Sequence, residues 1–285
     1  MLMENRSLHL FPVPKVQSVV GRMDFVLEKC KGKKVLHLGC VDEGLTAERI
    51  NTKNLLHFKL IDVATEVWGV DISKEGLKLL EANGADNLVW GDIEQIDKIH
   101  EIKGHDFDVI LLTEVLEHLN NPGLFLQGVK NLFHFNTIMI ITVPNGLRLT
   151  GLLRQMQGYE LVHPDHNYWF SYKTIRTLME KNGYHINEML TYSLFNTRIS
   201  VDNISLKKYR SLTHNKKKTN ELSFHSVKNV KKAKGKQKVL ISACAFLKRG
   251  FELLLRKYIS GRNPFLAADG IIAIVQPKLH GSQIQ

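Results

Sequence analysis

The sequence predicts an α/β domain built on a parallel sheet with helices on both faces, and two features carry that expectation. As far as Phe170, short β-branched apolar runs alternate with stretches of helical periodicity, the pattern of strands joined by crossover helices. Runs such as Val109-Ile110-Leu111-Leu112 are apolar without interruption, so the strands they form must be covered on both sides.

Taken in order, Val16 to Lys31 reads as an amphipathic helix, with Val19, Met23, Val26 and Leu27 at spacings of three and four and Gly32 as its stop. Lys34 to Gly39 is the first strand. Leu55, Leu56, Phe58 and Leu60 place a crossover helix between Leu45 and Ala64, before a second strand at Glu66 to Ile72. Ser73 caps a helix carrying Leu77, Leu79 and Leu80; Leu88 to Ile93 and Phe107 to Thr113 are the third and fourth strands. Leu124 to Phe133 is helical, and Thr137 to Val143 is the fifth strand. A connection rich in aromatics follows Pro144. Ser171 then caps a helix from Tyr172 to Asn182, Gly183 stops it, and Tyr184 to Tyr192 is a sixth strand. Lys207 to Lys238 has few apolar residues and reads as a mobile loop. Leu240, Cys244, Leu247, Phe251, Leu254 and Tyr258 mark one face of a helix, and Gly270 to Gln276 is a last strand.

At 285 residues and 44% hydrophobic content the chain can bury one substantial core. The net charge of +11 is local: Leu206 to Lys238 holds twelve basic residues and one acid, Glu221, and the rest of the chain balances. Cys30, Cys40 and Cys244 lie far apart with no C-x-x-C pair, which argues against structural zinc and a disulfide framework. No apolar run reaches the roughly 18 residues of a membrane span. Met1 to Val20 has no continuous apolar core of a leader peptide, so a cytoplasmic address is expected.

In an open parallel sheet ligands bind beyond the carboxyl ends of the strands. The first strand ends in His37-Leu38-Gly39-Cys40-Val41-Asp42-Glu43-Gly44, a turn whose glycines let a ligand approach the backbone. The second ends in Asp71-Ile72, a carboxylate placed to accept from two ribose hydroxyls, and the third in Asp92-Ile93, suited to an adenine amino group. The fourth runs into Thr113-Glu114-Val115-Leu116-Glu117-His118-Leu119.

This set resembles the class I S-adenosylmethionine-dependent methyltransferases, whose pattern is V-L-D-[LIV]-G-C-G-x-G, then [GV]-[VI]-D, then G-D, then a strand ending near L-E-H. The resemblance covers Gly32 to Tyr192, with a return at Gly270 to Gln276. It implies a Rossmann-like methyltransferase sheet of seven strands, the last antiparallel and inserted beside the fifth. The cofactor it implies is S-adenosyl-L-methionine, held by His37, Gly39, Cys40, Asp42, Gly44, Asp71, Ile72, Asp92, Ile93, Thr113 and Glu114. The chain is then one domain: an arm at 1–15, a cofactor-binding core at 16–196, a basic loop and helical insertion at 197–269, and the last strand and tail at 270–285. The sequence departs from the pattern in the first turn, where His37 replaces the usual Asp and Val41 and Glu43 replace two glycines. Either the turn takes another path, with Asp42 or Glu43 meeting the methionine ammonium, or binding is impaired.

Methyl transfer from a sulfonium is an in-line displacement, so the protein aligns the reactants and, for a hydroxyl acceptor, removes a proton. His118 and His166 are the candidate bases; the plainer reading of His118 is a residue that closes the strand-helix turn. His163-Pro164-Asp165-His166-Asn167-Tyr168-Trp169-Phe170-Ser171 resembles the acceptor side of ubiquinone O-methyltransferases and of sugar or glycan methyltransferases, which points to a small-molecule or glycan acceptor. Glu114, Glu117 and His118 could converge on a divalent cation from one helical turn, but L-E-H also occurs in metal-free relatives and no metal is assigned. The basic segment beside an apolar helix suits an anionic membrane surface or a lipid-linked glycan acceptor, although a core or lid helix over the pocket is the plainer reading. It also leaves open an RNA or DNA methyltransferase, although the nucleobase motif N/D-P-P-Y is missing and few aromatics interleave the lysines. The altered glycine turn leaves open a third reading, a methyltransferase fold that binds a partner without catalysis.

Overall fold

A computed structural model of the protein describes residues 10–13, 18–42, 44–193, 258 and 264–278. Among the described residues eight strands form one sheet: β1 (Ser18–Val20), β2 (Lys34–Leu38), β3 (Glu66–Asp71), β4 (Leu88–Trp90), β5 (Val109–Thr113), β6 (Ile138–Pro144), β7 (Tyr184–Ser193) and β8 (Gly270–Pro277). Their order is β1-β7-β8-β6-β5-β2-β3-β4. Only β8 runs antiparallel, threaded between β6 and β7. Seven of these strands stand in the expected places.

Helices α1 (Arg22–Cys30), α2 (Thr46–Asn51), α3 (Leu56–Ile61), α4 (Lys74–Ala82), α5 (Pro122–Gly128), α6 (Leu149–Gln155) and α7 (Tyr172–Lys181) connect and flank the strands. Alternate residues of the same strand feed different layers. Leu36, Leu38, Ile110 and Leu112 pack with Phe125 and Met179 on one face. Val35, Val109, Leu111 and Ile140 pack with Val26, Cys30 and Leu60 on the other. Strands on both sides of the β2–β5 junction fan out in opposite directions, so the crevice of the sheet opens at the carboxyl ends of these two neighbours.

Several boundaries differ from the sequence reading. The helix expected at Val16 to Lys31 starts only at Arg22, because Gly21, at φ 90°, breaks the backbone and Ser18–Val20 pairs with Thr191–Ser193 as an eighth, edge strand. The helix expected between Leu45 and Ala64 is two helices, separated where Lys53 takes φ 52°. The third expected strand stops at Trp90, since the Asp92 carboxylate caps a 3-10 turn over Ile93–Lys98. Ser73 and Ser171 cap α4 and α7 as read. The lysine-rich segment and the helix of residues 240–258, except Tyr258, lie outside the described residues. Among the described residues no helix is long and apolar enough to cross a membrane.

His37 points from β2 into the layer of α3. It is 2% exposed, its Nδ1 lies 3.2 Å from Nδ1 of His57, and neither Nε2 has a hydrogen-bond partner among the described residues. One ring must donate and the other accept, so the accepting ring must be neutral and the two cannot be charged together. Burial lowers His57 to about 4, and burial together with the charge on His57 holds His37 well below its usual range. The unfolded chain protonates both rings near 6.5, whereas in the folded chain His57 resists protonation until about 4 and His37 is lowered in the same direction. Stability from the pair is therefore complete above pH 6.5 and lost as the pH falls toward 4. Thermal unfolding followed across that range should show a midpoint that drops with acid, and His57→Leu should flatten the drop. Parallel curves for the two proteins would show that the pair does not govern acid sensitivity.

Candidate active site

The turn after β2 begins at Gly39, at φ 71°, where a Cβ would stand 2.4 Å from Cγ2 of Val115; only glycine satisfies both the dihedral and the space. Cys40 turns inward against Leu55, Leu77 and Leu80, and burial pushes its thiol well up, so it contributes backbone to the turn and a side chain to the core. Asp71, 8% exposed at the end of β3, accepts from the N–H of Val41 through Oδ2 and from the N–H of Ser73 through Oδ1, both at 2.9 Å. The carboxylate thus ties the β2 turn to the start of α4. Asp42 forms an ion pair with Arg49, so its charge is already met within α2. Gly44, at φ 74°, has open space above it. Glu43 lies outside the described residues.

Beside this turn Ile72 is 64% exposed, and its carbonyl accepts from Nε1 of Trp90 at 3.0 Å, while the ammonium of Lys74 sits 4.1 Å over the Trp90 ring. Asp92 accepts from the N–H of Glu94 at 2.9 Å, and Ile93 is buried. Gly39, Cys40, Asp71, Ile72, Asp92 and Ile93 are therefore gathered at neighbouring strand ends. His37 is not among them.

Glu114 follows β5 with φ 54°, a left-handed conformation that costs a non-glycine residue about 1–2 kcal/mol. Its Oε1 is held by three groups: Thr142 Oγ1 at 2.8 Å, Tyr192 OH at 2.9 Å and the Arg22 guanidinium at 3.1 Å. Arg22 also stands 5.4 Å from the centre of the Tyr192 ring. Tyr192 reaches this position because Gly270 lies beneath it, where a Cβ would meet the ring at 2.1 Å. Arg22 and Tyr192 escaped the sequence reading, since residues 78 and more apart in the chain leave no local signal of such a pairing.

The connection after β6 is laid over the same end of the sheet. Asn167 N–H and Tyr168 N–H donate to the Glu117 carbonyl at 2.8 and 3.2 Å, Asn167 Nδ2 to the His118 carbonyl at 2.8 Å, and Tyr168 OH to the Asn120 carbonyl at 2.9 Å. This brings together His118, His163 and His166, with ring centres 4.6 to 5.7 Å apart. Burial and the neighbouring imidazoles lower His166 to about 4, and burial with His163 lowers His118. Beneath them Glu117 is 1% exposed, neither carboxylate oxygen has a hydrogen-bond partner among the described residues, and His166 Nε2 is 3.9 Å away. Burial and the charge of Glu114 push Glu117 up to about 9. The three residues read as a possible cation triplet are thus divided: Glu114 is taken by Arg22 and Tyr192, whereas Glu117 and His118 join the histidines.

The family described as "Methyltransferase domain" matches residues 21–188, more than half of the chain. The chain belongs to this family. Two curated relatives are ubiquinone biosynthesis O-methyltransferases. That of Neisseria meningitidis serogroup C is 27% identical over 133 residues, covering 45% of this chain and 49% of its own. That of Glaesserella parasuis serovar 5 is 27% identical over 133 residues, covering 44% and 52%. The chain spans about half the length of the curated relatives it matches. A solved S-adenosylmethionine-dependent methyltransferase from Archaeoglobus fulgidus superposes with a TM-score of 0.47 at 17% identity, over 90% of this chain and 94% of that one.

In this methyltransferase domain the Glu114 network joins β5, β6, β7 and α1. Tyr192→Phe removes one hydrogen bond to a charged acceptor and should lower stability by about 1–2 kcal/mol in urea unfolding. Arg22→Met leaves the carboxylate without its cation and should cost more, about 2–3 kcal/mol. Wild-type stability in the arginine variant would mean that the network does not anchor α1.

Proposed function

We propose that the chain is an S-adenosylmethionine-dependent O-methyltransferase acting on a hydroxyl of a small molecule, with a sugar or glycan precursor as the acceptor class suggested by the stretch from His163 to Ser171. The observation that carries the reading is the convergence of His118, His163 and His166 above buried Glu117 at the end of β5, beside the Asp71 clasp at the ends of β2 and β3.

The donor side fits the cofactor. Asp71, held by the Val41 and Ser73 amides at the end of β3, sits at the strand-end position where the family pattern places the ribose acid. Exposed Ile72 and buried Ile93 offer apolar surface to an adenine, with Asp92 at hand for its amino group. Bound S-adenosylmethionine supplies a methyl group activated by the sulfonium. Glu114, fixed through Oε1, stands between the donor and acceptor sides. His118 and His166 are neutral at pH 7 and take the hydroxyl proton of the acceptor, while Tyr168 and Asn167 pin the connection that covers them. The names of the relatives support an oxygen as the methylated atom.

Purified chain incubated with the methyl donor and a panel of sugar and phenolic acceptors should release S-adenosylhomocysteine. His166→Ala should lower kcat by about 10²- to 10⁴-fold, the range for a lost general base, and leave cofactor affinity unchanged. Asp71→Ala should do the reverse, raising the cofactor Kd about tenfold or more. An unimpaired kcat in His166→Ala removes the base assignment. Turnover of RNA or DNA alone, abolished by deleting Lys207 to Lys238, would favour the nucleic-acid reading instead.

A second reading has its own observation. One nitrogen from each of His118, His163 and His166 lies within 4.8 Å of the others, a set that suits a divalent transition ion. Activity lost on chelation and restored by added zinc or manganese would make the cluster an ion site; activity indifferent to a chelator leaves it as the proton acceptor.

A further inference from the structure

Gly76 is the third residue of α4, in its first turn, and it is absent from the left-handed residues among those described, so no backbone dihedral calls for a glycine there. The reason is steric. A Cβ at position 76 would stand 2.3 Å from Cγ1 and 2.8 Å from Cγ2 of Val41. Both methyl groups of Val41 therefore occupy the volume that any other residue at 76 would fill, and the isopropyl group is turned onto the helix.

The same residue holds the turn by its backbone. Val41 N–H donates to Asp71 Oδ2, Ser73 N–H to Asp71 Oδ1, and Gly76 N–H to Ser73 Oγ at 3.1 Å. The contact of Val41 with Gly76 closes this circuit. We infer that Gly76 is a positioning residue for the cofactor turn: it supplies the socket that lets a valine stand where the family pattern has a glycine, and so keeps the Asp71 carboxylate clasped between the two turns. In effect a glycine missing from the loop is replaced by one in the helix facing it. The inference rests on the donor-site reading above, but its geometry can be tested without the cofactor.

The test is a double-variant cycle read in two ways, by hydrogen exchange of the Val41 amide in the free protein and by calorimetric titration with S-adenosylhomocysteine. Gly76→Ala should push the valine off the helix, raising exchange at Val41 and weakening binding about tenfold or more. Val41→Gly should empty the socket and loosen the turn in the same two readouts. The double variant puts a methyl on the helix and removes the isopropyl from the turn, so it should recover both protection and affinity relative to either single change. A helix-packing role alone predicts no recovery, because alanine at 76 improves helix propensity with or without Val41. Should Gly76→Ala fail to fold, the comparison of Val41→Gly with the double variant still decides. Two single variants that exchange and bind like wild type, or a double variant no better than the singles, overturn the inference. Failure of the wild type to bind the ligand while the exchange cycle behaves as stated would instead overturn the donor-site reading.

Discussion

Asp71 ends β3 with both carboxylate oxygens bonded to main-chain amides of different turns, so the relative position of the β2 turn and α4 is set by a buried charge rather than by apolar packing alone. Such a group tolerates little displacement: moving either turn leaves an anion at 8% exposure short of a donor, which costs more than the hydrogen bond itself gains. The turn can consequently differ in sequence from the family pattern and keep its place. Its register is fixed by Asp71 and Gly39, while the unusual side chain at 41 is lodged elsewhere.

A second carboxylate organises the other half of the cleft, and it works in combination with a third. Glu114 faces Arg22, Tyr192 and Thr142; Glu117, three residues on, is pushed up by burial and by the charge of Glu114, which outweigh the opposing effect of Arg22. Two acids on one turn thus meet different surroundings: one is held by three donors, and the other is pushed up to about 9, chiefly by burial. The left-handed backbone at Glu114 is the strain that accompanies this placement, and the three bonds at Oε1 hold it there.

The sheet was legible in the sequence because its signals are local. Uninterrupted apolar runs gave β5 and β6, serine caps gave the starts of α4 and α7, and acids after strands marked Asp71 and Asp92. What escaped depends on partners distant in the chain. No pattern around Ser18 announces an edge strand whose partner begins at Thr191, and nothing near Arg22 points to Glu114. Two misses had a usable signal. His37 lies two residues beyond Val35 and therefore on the same face of β2, toward α1 and α3 rather than the strand ends, as counting by twos would have placed it. Gly76 early in α4 asked for a reason, and the nearby replacement of a loop glycine by Val41 was that reason.

The histidine cluster shows how a weak base can serve on the proposed reading. Three imidazoles crowded over a buried carboxyl resist protonation, so His166 remains unprotonated at neutral pH although its affinity for a proton is low. A hydroxyl in its resting state would not surrender a proton to such a group. As the acceptor oxygen begins to bond to the methyl carbon, however, positive charge builds on it and its proton becomes strongly acidic. Transfer late in the displacement then needs proximity more than basicity. The imidazolium so formed would stand 3.9 Å from the neutral Glu117 carboxyl, and low basicity at His166 lets it pass the proton on to water and return to the unprotonated state for the next turnover.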